Sequence, residues 1–177
     1  YREAGDLLER QARLLAVLPD APTSLRLEAA ALRGNVHQEL GEAALCSAQM
    51  GPLESTARNE ELQLSTVVSA FYSQLGRCQR ELGDAASAKR LFTRALALRR
   101  KEDDVGGVAE TQLDMASLQA DAGQPEAAIH SLTAALDQLR QRAGDHHPAA
   151  IDIRRSLCVL ERTTDALEAA LRDCKAS

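Results

Sequence analysis

Apolar side chains recur along this chain of 177 residues mainly at three- and four-residue intervals. Leu7, Leu8, Leu14, Leu15 and Val17 fall on one side of a helix over residues 2–17. The same spacing predicts helices near 23–40, 42–50, 84–101, 105–122, 124–142, 147–162 and 164–175. Gly51-Pro52 ends the helix at 42–50 early, because proline removes a donor and clashes with the preceding turn. Residues 53–82 are the irregular stretch. A short helix is expected there, followed by a long one beginning near Asn59 or Glu61. The β-branched runs that a sandwich or doubly wound sheet needs are missing, so the predicted class is all-α.

Composition supports that class and narrows the function. Leu, Ala, Glu, Gln and Arg dominate, and all are good helix formers. With 45% hydrophobic residues, wholesale disorder is excluded. A net charge of -5 argues against a nucleic-acid surface. No run approaches the ~20 apolar residues that span a bilayer. The start, YREAGDLLER, is charged from its second residue and is not the pattern of a signal peptide, so a cytoplasmic location is expected. Because the chain begins without Met, and Tyr1, Ala4 and Leu8 suit the second helix of an earlier repeat, it is expected to be a piece of a longer array. The four cysteines, Cys46, Cys78, Cys158 and Cys174, form no C-x-x-C, which excludes a zinc knuckle or a thioredoxin-type motif. They are read as buried free thiols.

An internal period is the strongest signal. Leu40-Gly41-Glu42-Ala43 and Leu82-Gly83-Asp84-Ala85 match almost letter for letter, 42 residues apart. Gly34 precedes Gly76 by the same interval. Gly123, Ala128, Leu132 and Ala135-Leu136 continue the phase after 40 residues, with Ala116 in the place of Gly76. Asp165, Ala170 and Cys174 continue it again. Small residues are expected where two helices cross, and a Gly between the helices supplies a left-handed turn.

Residues 72–98 read YSQLGRCQRELGDAASAKRLFTRALAL. Tyr72, Leu75, Gly76, Gly83, Ala88, Phe92 and Ala95 stand at the spacing of the tetratricopeptide repeat, which this segment resembles. Gln79 and Ala85 replace two usual aromatics, and Arg100 stands where a proline often ends the unit. The long period and the connector Asp145-His146-His147-Pro148 resemble kinesin-light-chain-type and nephrocystin-type repeats. The resemblance implies an α-solenoid of stacked antiparallel helix hairpins in a right-handed superhelix. It implies one array over residues 1–177, with units of about 23–64, 65–104, 105–146 and 147–177 after the helix at 2–17. It also implies a cytoplasmic protein of cytoskeletal or ciliary association.

No motif of an enzyme is present: H-E-x-x-H, phosphate-loop and nucleophile-elbow patterns are all absent from the sequence. No catalytic, cofactor or metal residues are therefore assigned. His146 and His147 read as packing and capping residues of a connector, His37 as structural, and Gly106-Gly107 as a turn between repeats. In arrays of this family, first helices line a groove that holds a peptide or helix of a partner protein. The groove-side candidates are Arg77 and Arg80, then Gln112 and Asp114 with Glu110, then Arg154 and Arg155 with Arg162. An acidic peptide would suit the Arg rows. The alternative is assembly: packing on a second copy through the array ends, or on other domains of a larger protein such as the sensor arm of a regulatory ATPase. The Asn pairs and carboxylate clamps of better-known relatives have no counterpart at Ser73-Gln74, Leu113-Asp114 or Arg155-Ser156.

Overall fold

The computed structural model describes residues 21–163. The sequence expectations for helices at 2–17 and 164–175, and for Ala170, lie outside the described residues. Within them run eight α-helices and no strand. They are α1 (Thr23–Glu39), α2 (Ala43–Met50), α3 (Glu54–Asn59), α4 (Ser65–Glu81), α5 (Ala85–Lys101), α6 (Val105–Asp121), α7 (Pro125–Ala143) and α8 (Pro148–Thr163). A single 3-10 turn, Gly51–Leu53, joins α2 to α3. The chain divides into two compact units, residues 1–98 and 99–177.

The helix ends follow from local chemistry. Gly41, Gly83 and Gly123 have φ of 74°, 81° and 72°, the left-handed turn that side chains resist. After α4, Gly83 N–H donates to the Arg80 carbonyl and Asp84 N–H to the Gln79 carbonyl, each at 2.9 Å. That pair of bonds satisfies carbonyls the helix leaves open. Asp103, at φ 58°, takes the same place after α5. The next helices are capped in turn. Asp84 Oδ1 accepts from Ser87 N–H at 3.0 Å, and Asp104 Oδ1 from Gly107 N–H at 2.9 Å.

In the first unit, α1 and α2 form a hairpin and α4 packs against both. Leu27, Met50, Phe71, Tyr72, Leu75 and Leu91 are fully buried at its centre. Gly76 on α4 faces the buried ring of Phe92 on α5. A Cβ there would lie 2.6 Å from Phe92 Cε1, so the two helices approach closely only because residue 76 has no side chain. In the second unit, α6 and α7 form the hairpin and α8 packs on both. Ala128, Leu132, Ala135, Leu139, Ile153 and Leu157 form its core.

Three features differ from the sequence expectations. Cys46 and Cys78 are not free thiols. They form a disulfide between α2 and α4, with Cα atoms 6.1 Å apart, and Cys158 is disulfide-bonded too. The closeness of α2 and α4 brings the sulfurs together, which spacing along the chain does not reveal. The long helix begins at Ser65 rather than near Asn59 or Glu61. Residues 60–64 instead turn, held by Glu61, whose carboxylate accepts from Tyr72 Oη at 2.7 Å and from Arg94 at 3.2 Å. Gly106-Gly107 is not a turn between repeats but lies in the first turn of α6, because Asp104 caps that helix.

Candidate functional site

The first unit carries two of the expected groove residues. Arg77 and Arg80 sit one turn apart on α4 and are half-buried. Around them α4 is tied to the preceding hairpin by side-chain amides. Gln74 donates to Gln38 Oε1 at 2.9 Å and Gln79 donates to Ser47 Oγ at 3.0 Å.

Residues 51–64, which lengthen the repeat, form a strap across this unit. Ala57 is buried, and Leu53 and Leu64 pack against the core. Glu54 accepts both Arg90 guanidinium nitrogens, at 2.5 and 3.2 Å, and Arg58 Nη2 at 3.2 Å. These bonds, Arg90 foremost, hold the Glu54 carboxyl below its ordinary range despite opposing desolvation. Glu61 grips Tyr72 and Arg94 further along, and Arg94 lies 5.8 Å from the Tyr72 ring centre. Burial, with the hydrogen bond to Glu61, pushes the Tyr72 phenol up to about 12.

In the second unit the expected groove residues separate. Gln112 lines a notch of about 140 Å³ between α6 and α7. Val105, Val108, Ala109, Ala135 and Leu139 give the notch an apolar floor, and Gln138, Gln141 and Arg142 complete its wall. Arg142 pairs with Asp103. Asp114 is only 6% exposed and belongs to the interior side of α6. Glu110 is exposed and faces Arg99 at 3.5 Å.

Arg154 is also buried. It donates to the Asp145 carbonyl at 3.4 Å and to Asp145 Oδ1 at 3.3 Å, an oxygen that Arg140 Nε also reaches at 2.6 Å. Arg154 thus orders the connector before α8. Arg155 is exposed beside Asp152 at 3.1 Å. In the same connector His147 Nδ1 accepts from Ala149 N–H at 3.2 Å, while His146 is exposed. His37 pairs with Glu42 at 2.8 Å at the end of α1.

Periodicity did not reveal the buried charge near the end of α5. Arg99 donates to the Gly107 carbonyl at 2.6 Å and to Thr111 Oγ1 at 2.8 Å, and is 8% exposed. Gly107 admits it: a Cβ there would lie 2.8 Å from Arg99 Cδ. A Cβ on Gly106 would lie 2.8 Å from His147 Cε1. The Gly-Gly pair was the available signal, since adjacent glycines in a helix mark close neighbours on two sides.

Among the described residues no group of three or more His, Cys, Asp or Glu side chains is placed to hold a metal ion. No helix among them is long and apolar enough to cross a membrane.

The chain matches no model of a known protein family, and no curated protein matches it. Solved structures do match its fold. BtubC (BKLC) from P. vanneervenii aligns with a TM-score of 0.73 at 16% identity, over 99% of this chain and 71% of that one. A putative kinesin light chain of Podosopora anserina with nearly identical TPR-like repeats aligns at 0.70, also at 16% identity, over 99% and 84%. A point variant of that same light chain aligns at 0.72 with 16% identity, over 98% and 83%. The chain therefore has the fold of TPR-like repeat proteins such as these kinesin-light-chain-like structures.

Proposed function

We propose that this chain is a non-catalytic scaffold that binds a peptide or helix of a partner protein. The observation that carries this reading is the notch at Gln112. It joins an expected groove position to an apolar floor large enough for one aliphatic side chain. Glutamine amides at its wall both donate and accept, which suits a peptide backbone. Arg155, on a first helix of the same unit, keeps exposed surface, and an acidic flank of the ligand would pair with it. Arg154 and Asp114 are left out of the contact set because both are buried.

The test is selection from a displayed peptide library with the full chain as bait. Enriched peptides should share an aliphatic anchor beside acidic residues. Their binding should fall at least tenfold with Val108→Trp, which fills the notch, and with the charge reversal Arg155→Glu. Peptides that bind both variants as well as the wild type would sink the proposal.

Assembly is the second reading. Leu25 and Leu32, seven residues apart on α1, are 38% and 54% exposed on one helix face. An apolar stripe of that kind favours packing against another surface. A wild-type chain that sediments as a dimer, and a Leu32→Glu chain that sediments as a monomer, would favour it.

A further inference from the structure

We propose that the Cys46–Cys78 disulfide is a redox latch. Closed, it holds α2 and the strap at 51–64 against α4; reduced, it releases that segment while the second unit stays folded. The inference does not depend on what the scaffold binds.

Helix α2 is weakly held. This helix has eight residues and buries only Cys46 and Met50, whereas its counterparts α5 and α7 have 17 and 19. So short a helix is not stable by itself, and two buried side chains give it little tertiary hold. The noncovalent ties around it are modest. Gln79 to Ser47 is a single amide–hydroxyl bond. The strap's ion pairs, Glu54–Arg90 and Glu61–Arg94, tie the strap to α5 rather than holding α2 itself.

The disulfide supplies the missing hold, and the fold makes room for it. A Cβ on Gly34 would lie 3.2 Å from Cys46 Sγ and would collide with Met50 Sδ. The residue at the crossing of α1 and α2 is thus the seat of the sulfur pair. The rest of the first core has no need of the link, since Leu27, Phe71, Tyr72, Leu75 and Leu91 lie on α1, α4 and α5.

Both cysteines are 0% exposed, so a reductant reaches them only after α2 lifts. The reductant is a dithiol. Its thiolate attacks one sulfur, forming a mixed disulfide, and the other cysteine leaves as a thiolate and takes up a proton. The second thiol of the reductant then displaces the mixed disulfide. Two electrons and two protons pass to Cys46 and Cys78, and the dithiol becomes a disulfide.

The experiment uses the full chain. Non-reducing digestion of air-oxidised protein should yield a peptide pair joined through Cys46 and Cys78. Hydrogen exchange over residues 42–64 should quicken at least about tenfold in dithiothreitol, because opening the link frees a loop of 32 residues. The Cys46→Ser/Cys78→Ser chain should behave the same way without reductant. In that double variant, which leaves the disulfide at Cys158 intact, exchange over 105–143 should not change. The rate of reduction should level off at high dithiothreitol, since lifting of α2 then limits it. Free thiols at Cys46 and Cys78 in the oxidised protein would overturn the latch. So would unchanged exchange over 42–64, or equal loosening of 105–143 in the double variant. If the double variant does not fold, exchange over 42–64 on reduction of the wild-type chain decides alone.

Discussion

Replacing Gly76 by Ala pits two opposing effects of known size against each other. An alanine inside an exposed helix is worth roughly 1 kcal/mol over glycine. At this position its Cβ would stand 2.6, 2.8 and 3.1 Å from three atoms of the Phe92 ring. Reaching ordinary contact at 3.4 Å requires the ring edge to withdraw by about 0.8 Å. Phe92 is 0% exposed, so withdrawal means displacing packed neighbours, and such overpacking costs about 1–3 kcal/mol. The net expectation is a loss of about 1 kcal/mol. In a Phe92→Val background the ring is gone and only the helix preference remains, so the same change should gain about 1 kcal/mol. The coupling between the two sites is then about 2 kcal/mol, within the range seen for residues in contact. Urea unfolding of the four chains, followed by exchange protection within α4, measures it. The disulfide must be kept intact throughout. Additive effects, or stabilisation by Gly76→Ala in the wild-type chain, would show that Gly76 does not set the approach of α4 to α5.

The remaining expectations concern titration and one buried charge. Tyr72 has a folded-state value of about 12 against an ordinary 10.0. Its contribution is therefore complete below pH 10 and lost as pH rises toward 12, and phenolate absorbance should show a late step that Tyr72→Phe removes. Glu54 is shifted the other way, below its ordinary 4.5, so its pairing stabilises the first unit above that pH and is lost as pH falls through the lowered value. Glu54→Gln should flatten the acid limb of stability against pH, and an unchanged limb would refute the assignment. Arg99→Ala should cost about 2–3 kcal/mol, because the Gly107 carbonyl and Thr111 hydroxyl lose a charged donor. Thermal melts and exchange within α6 would show it.

How far the sequence was readable depends on what each residue's role rests on. Helix periodicity and left-handed glycines are local properties, so most helices and the turns at Gly41, Gly83 and Gly123 could be placed from spacing alone. The strap could not. Its path is set by Glu54 meeting Arg90 and Glu61 meeting Arg94, pairs 36 and 33 residues apart that no local pattern joins. The late start of α4 follows from the same contact. The disulfide left a trace that spacing could have caught: Cys46 stands 42 residues before Ala88, at the small-residue position of its own repeat. A thiol at a helix crossing faces the neighbouring helix, where Cys78 waits. Among the groove candidates, sequence could identify first-helix positions but not their burial. Arg154 is drawn inward by Asp145, a residue of the connector.

The start of α6 carries a consequence for how such chains can be rearranged. Gly106 and Gly107 accept His147 from the connector ahead of α8 and Arg99 from the end of α5. A module cut out between those two points would carry the vacancies without the side chains that occupy them. Shuffling or grafting this hairpin into another array therefore demands that Arg99, the glycine pair and His147 travel as one cassette, so interchangeability stops at this joint even though the helical rhythm continues through it.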